Sequence, residues 1–310
     1  MVRFTFIYLV ASCNLAGIEQ MNIFGPSVNT VWTSRSLDYQ SEATDKVIQV
    51  EGDTWQRHRK LTAPSFNERT SRSVWNEAVR QTQDMLQSWV KLGDAGTKET
   101  VGDTKLMALH VLTSAGFGMS FRYSEGMQSL RPGYCMTYRD ALQLILRNIT
   151  LLVIFPQRLL RSSFAPKKLR NLGQATLDFK KYMEEMLTRE RQLILNQESG
   201  TDNLMSALVR ASEEAKAANA VGGSNKGLAD DEIYGNIFMY NLAGHDTTAN
   251  ALAYAIVLLA AFPERQEWLA DEINSVFRAQ DNIESWDYES AFPRLKRCLA
   301  ILVYHPPPCL

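Results

Sequence analysis

The sequence has few cysteines, no long apolar run and no surplus of either charge, and each shortage removes a class of protein. Its 310 residues carry 33 Lys+Arg against 34 Asp+Glu, a formal net charge of -1. Such a balance provides no overall field to hold a polyanion, so nucleic acid is not expected as the main partner. Cys13, Cys135, Cys298 and Cys309 are separated by 122, 163 and 11 positions. That spacing is neither a zinc pattern nor a disulfide framework; no metal ligand is assigned, and a reduced, intracellular setting is expected. The apolar run Phe4 to Ser12 is nine residues long, far short of the ~20 that cross a bilayer, so no transmembrane anchor is read there. Alternating strands at regular spacing are also missing, which excludes a β sandwich or barrel and leaves any sheet small.

What is present is helix. Apolar residues make up 45% of the chain and charged residues 22%, enough for a large core. Between Leu169 and Leu195 the apolar positions Leu172, Phe179, Tyr182, Met183, Met186, Leu187, Leu193 and Ile194 form one stripe, with Lys, Arg and Glu opposite, as an amphipathic helix requires. Residues 73 to 92 behave similarly, and a third helix is expected from Asp103 to about Ala115, ended by Gly116-Phe-Gly118. A polar, glycine-containing gap, Val221 to Gly227, is the one linker-like stretch. The expected fold class is mainly α with little sheet.

The most informative segment is Asp230 to Phe262. Asp230, Asp231 and Glu232 place carboxylates at a helix start, where they meet the positive end of the macrodipole, and Pro263 follows the far end. A central helix of some ~45 Å is implied at 1.5 Å per residue. Its middle holds Asn241, Gly244, His245, Asp246, Thr247, Thr248 and Asn250, polar groups that are costly to bury without partners. Glycine inside a helix, beside threonines able to bond the preceding turn, predicts a distorted or opened helix. The cluster fits satisfied structural groups, or an acid and an alcohol that relay protons. A membrane span is less suited, because only twelve apolar residues, Ala251 to Phe262, follow. Spacing leaves the first two readings open.

A second constellation is Trp55-Gln-Arg-His-Arg-Lys60. On a helix Trp55 and Arg59 share a face, so an indole donor and a guanidinium can converge on one anionic group. The same run also reads as a solvated basic face.

Taken together these residues resemble a cytochrome P450. Ala243-Gly-His-Asp-Thr-Thr248 is similar to that family's small-Gly-x-acid-Thr-Thr signature on the long central helix, and Trp55-x-x-x-Arg59 to its haem-propionate motif. His110 to Gly118 and Gly235-Asn-Ile-Phe-Met follow in the family's order. The resemblance is strongest to fungal members and covers about residues 52 to 302. It implies an incomplete P450-like helical domain and a haem cofactor. Trp55 and Arg59 would bind a propionate, Ala243 and Gly244 would leave space for dioxygen and substrate, and Asp246 and Thr247 would be catalytic in proton delivery. The implied activity is monooxygenation of a small apolar organic substrate, with electrons from an NADPH-cytochrome P450 reductase. The family also implies the endoplasmic reticulum membrane. Ile149 to Leu160, followed by Arg161, Lys167, Lys168 and Arg170, would suit peripheral membrane contact, and suits a core helix equally.

The sequence departs from the family pattern at both ends. After Leu302, where the resemblance would place the family's Glu-x-x-Arg, the sequence diverges, and the haem-cysteine motif Phe-x-x-Gly-x-Arg-x-Cys-x-Gly is not found; the thiolate is what permits O–O cleavage. The resemblance fades after Leu302, so a frameshift or altered splice near position 303 is expected. Phe24 to Thr30 and Val50 to Trp55 would be nearly continuous in the family pattern, and the nineteen residues between them, Val31 to Gln49, predict a retained intron. The expected layout is therefore an atypical segment 1–54, a partial P450-like domain 55–302 and a divergent tail 303–310. The alternative to a monooxygenase is a catalytically inactive fragment or a non-catalytic helical interaction protein.

Overall fold

The computed structural model describes residues 52–123, 130–196, 203–219, 227–277 and 286–303. The segment 31–49, Phe24 to Thr30, most of the 221–227 gap, Cys13, Cys309 and all of the tail after Val303 lie outside them. In chain order the helices are α1 (Gly52–Thr62), α2 (Glu68–Lys91), α3 (Thr100–Phe117), α4 (Tyr138–Arg147), α5 (Ile149–Ile154), α6 (Gln157–Leu160), α7 (Lys167–Leu195), α8 (Leu204–Asn219), α9 (Asp230–Ala261), α10 (Pro263–Val276), α11 (Tyr288–Ala291) and α12 (Lys296–Val303), with short 3₁₀ turns between some of them. There is no strand among the described residues, so the fold is mainly α, as expected.

The chain divides into two units. One holds Phe66–Gly126 and everything from Ala243 onward, hence α2, α3, the later part of α9, and α10 to α12. Asn67 starts α2 as its N-cap, accepting from the N–H groups of Arg69 and Thr70 at 3.0 and 3.1 Å. Helices α2 and α3 pack together, burying Val74, Ala78 and Met85 against Met107 and Val111. Gly118, at φ 66°, closes α3 in the left-handed conformation, where a Cβ would be strained. The helix begins at Thr100, three residues before the expected Asp103. Asp103 caps nothing: its carboxylate accepts from Trp89 Nε1, Tyr123 Oη and Thr97 Oγ1, at 2.7, 2.7 and 3.2 Å. Glu272 of α10 plays the capping part for α12 by accepting the N–H groups of Arg297 and Cys298.

The other unit contains α1, α4 to α8 and the first part of α9, as far as Leu242. Here most of the predicted stripe of α7 turns inward: Leu172, Phe179, Tyr182, Met183 and Leu187 are buried, while Met186, Leu193 and Ile194 are half-buried. Tyr138 of α4 stacks on Phe179, which meets Phe238 of α9 edge-on. Gly173 lets α6 close on α7, because a Cβ there would stand 3.0 Å from the Leu160 carbonyl oxygen. The apolar segment 149–160 is two short helices, α5 and α6, since Pro156 cannot donate to a continuous ladder.

Candidate functional site

Helix α1 positions the first candidate pair. Trp55 and Arg59, one turn apart, meet as expected, with the Arg59 guanidinium carbon 5.6 Å from the centre of the Trp55 ring. Arg59 is exposed and Trp55 half-buried, so the guanidinium lies over the indole ring on the open side of the helix. Stacking of this kind orients the guanidinium and leaves its donors available.

The second set lies on α9 within the other unit. The helix runs for 32 residues without interruption from Asp230 to Ala261. The expected opening at Gly244 is therefore not a break in the helix. Thr247 Oγ1 donates to the Ala243 carbonyl at 2.5 Å, adding a bond to the preceding turn without interrupting the helix. Ala243 and Gly244 are half-buried, and Thr247 is exposed. Asp246 Oδ1 lies 2.9 Å from Lys105 Nζ of α3, and the Asp246 side chain keeps 44% of its surface exposed. Next to it His245 is buried, its Nε2 donating to the Lys105 carbonyl at 3.1 Å. Asp246 and Thr247 thus present a carboxylate held from one side and a hydroxyl with lone pairs still able to accept.

Lys105 is a residue the sequence reading missed. It is the one lysine or arginine of α3, a signal that gains meaning only when Asp246 is brought opposite. Glu232, His58 and Asn236 were missed in the same way. The acidic start of α9 matches the macrodipole, and Asp230 and Glu232 also make specific pairs. Asp230 takes a double hydrogen bond from Arg191, which with its charge outweighs partial burial and holds the carboxyl below its ordinary range. Glu232 takes Arg57 and His58.

Against known proteins, the family model described as Cytochrome P450 matches residues 7–299. The chain belongs to the cytochrome P450 family. Among curated relatives it is 34% identical over 258 residues to Cytochrome P450 monooxygenase 124 of Postia placenta, a match covering 83% of this chain and 47% of that protein. It is 31% identical over 271 residues to the phomenoic acid biosynthesis cluster cytochrome P450 monooxygenase of Leptosphaeria maculans, covering 83% and 45%. Among solved structures, a zebra fish cytochrome P450 with progesterone aligns at a TM-score of 0.60 and 16% identity, covering 82% of this chain and 54% of that one. The cytochrome P450DA heme domain aligns at 0.58 and 18%, covering 79% and 47%. At such identities the structural matches show the P450 fold. The chain spans about half the length of the curated relatives it matches.

Among the described residues, the cysteines of this P450 chain contrast with each other. Cys135 is exposed and Cys298 fully buried. Burial, together with the neighbouring Glu272 carboxylate, pushes the Cys298 thiol far above its ordinary pKa. No cluster of His, Cys, Asp or Glu able to hold a metal occurs among the described residues.

Proposed function

We propose that this chain is part of a haem-dependent monooxygenase that inserts one atom of O2 into a small apolar organic substrate, using electrons from an NADPH-cytochrome P450 reductase. The observation that carries the reading is the Trp55–Arg59 stack, which offers two donors on one helix face to a carboxylate. Residues 55–302 form the P450-like part in this reading. Bound haem would supply the oxygen-activating iron. Trp55 and Arg59 would hold one propionate. Ala243 and Gly244, with at most a methyl group each, would leave room for dioxygen and substrate beside α9. Lys105 orients the Asp246 carboxylate, and Asp246 with Thr247 would hold and pass a proton.

The fit to haem is uneven. The propionate pair suits the group, whereas Cys298 does not suit an iron thiolate, being enclosed beside Glu272 and held as a thiol. This favours the second reading, a helical P450 fragment without catalysis of its own. Both readings meet one experiment: titrate the full chain with haem, then reduce it under carbon monoxide. A red-shifted Soret band supports the monooxygenase. Haem uptake without that band supports the non-catalytic fragment, and no uptake overturns the haem assignment.

Peripheral membrane contact, in the family's case at the endoplasmic reticulum, belongs to the same proposal. Ile154, Leu159 and Phe164 are 62%, 45% and 97% exposed, close in sequence to Arg158, Arg161, Lys167, Lys168 and Arg170. Apolar insertion plus attraction to anionic lipid suits a bilayer surface. No single described helix is long and apolar enough to cross a membrane. Co-sedimentation with phosphatidylserine-containing vesicles should be lost in Phe164→Ser with Leu159→Ser; unchanged binding would remove the contact.

A further inference from the structure

Two arginines in one turn of α1 have opposite surroundings. At 3.6 residues per turn, Arg57 points about 160° away from both Trp55 and Arg59. Arg57 is turned to the start of α9: its Nη1 donates to the Gly227 carbonyl at 2.7 Å and to Glu232 Oε2 at 2.9 Å, and its Nη2 donates to Oε1 at 2.5 Å. His58, buried, adds its Nε2–H to Oε1 at 3.2 Å. The Ala229 N–H completes the set at Oε2, 2.8 Å away. Each oxygen of Glu232 therefore receives two donors, the full capacity of a carboxylate.

The remaining bonds fix the histidine tautomer. Asn236 Nδ2 donates to the Glu232 carbonyl at 2.6 Å and lies 3.1 Å from His58 Nδ1. With its amide N–H groups used in this way, Asn236 requires His58 Nδ1 to accept, so Nε2 carries the proton that goes to Glu232. Arg57, His58, Glu232 and Asn236 form one closed network between α1 and α9, and it leaves α1 a single rotation about its own axis.

We propose that Glu232 is a positioning residue for anion recognition by α1. It takes up the charge of Arg57 on one side, and the rotation it imposes presents Trp55 and Arg59 on the other. The proposal rests on the reading of Trp55 and Arg59 as a propionate site, and it adds that the site is set from behind, through Arg57 and His58. A fork-to-fork contact suits this task because it constrains orientation as well as distance.

The test is a binding titration of the full chain with haem and with haem dimethyl ester, followed by visible absorbance and Trp fluorescence quenching. The ester lacks the propionate charges and separates an effect on the anchor from a general loss of structure. The wild type should prefer haem to the ester. Glu232→Gln should weaken haem by about tenfold, the scale of a lost preorganised charge contact, and leave the ester nearly unchanged. Arg57→Lys, which keeps the charge and loses the fork, should show the same pattern at smaller size and serves if Glu232→Gln does not fold. Equal weakening of haem and ester would overturn the positioning role and leave the haem reading standing. A wild type with no preference for free propionates would overturn the Arg59 assignment and this proposal with it, and a wild type that takes up neither would overturn both together with the haem reading.

Discussion

Two of the acids of helix α9, Glu232 and Asp246, lie fourteen residues apart, and their surroundings are opposite. Glu232 is mostly enclosed and meets four donors from α1 and its own helix start. Asp246 is nearly half exposed; Lys105 Nζ stands 2.9 Å from its Oδ1 and His245 Nδ1 a longer 3.6 Å. Burial alone would push the Glu232 carboxyl upward; the bonds from His58, Arg57 and the Ala229 N–H, with the Arg57 charge, reverse that and hold it well below the usual carboxylate range. A saturated carboxylate has no lone pair left for chemistry, so its contribution is to structure. A carboxylate that is half exposed and has one close partner keeps lone pairs for others. Residue type does not distinguish the two acids; the number of donors does.

The largest effect should come from removing the saturated acid. Glu232→Ala leaves Arg57 without a counter-charge and the buried His58 Nε2–H without an acceptor, and should lower stability by about 3 kcal/mol in urea unfolding. If the loss is below about 1 kcal/mol, the network is dispensable and the contrast with Asp246 fails. The same acid predicts a pH dependence. A carboxyl whose folded pKa is depressed contributes stability that is fully present above its unfolded value, about 4.3. That contribution is lost as pH falls through the acid range towards the folded value. The stability gap between wild type and Glu232→Gln should therefore stay constant from pH 8 to about 5 and shrink below it; a gap that narrows at neutral pH would point to another group.

Gly227→Ala probes the same region from the backbone. Its Cβ would lie 2.4 Å from Lys216 Cγ and 2.7 Å from the Ser212 carbonyl oxygen. The lysine can yield but the backbone of α8 cannot, so a loss of about 2 kcal/mol is expected by thermal unfolding. The Gly227 carbonyl that accepts from Arg57 should shift with it. Wild-type stability would show that the segment before α9 relaxes freely.

The smallest effect is expected at the exposed acid. Lys105→Met removes the partner of Asp246 and should change stability by no more than about 0.5 kcal/mol, because both side chains reach solvent. A loss of 2 kcal/mol or more would make Asp246 a structural acid like Glu232 and withdraw it from the proton-handling role.

Much of this architecture was legible in the sequence. The stripe from Leu172 to Leu187 marks α7 because a buried helix face repeats every 3.6 residues, and the acids before Ile233 with Pro263 beyond the far end bracket α9. The Trp55–Arg59 contact was legible for the same reason, both residues lying on one helix a turn apart. The continuity of α9 through Gly244 was not, since local propensity against glycine and threonine was outweighed by the surrounding helix. Nor was the division of 149–160 into two short helices, although Pro156 marks the break.

By itself the sequence determined the helical class, the family and the residues that bear its signatures, because helix faces and motifs are relations between near neighbours. Only the tertiary structure decided which charges are occupied. Arg57 meets Glu232 across 175 positions, and Lys105 meets Asp246 from another helix. No periodicity encodes such distant pairs. Desolvation and donor count, which exist only once the chain is folded, make Glu232 of α9 a strut and leave Asp246 half open to solvent.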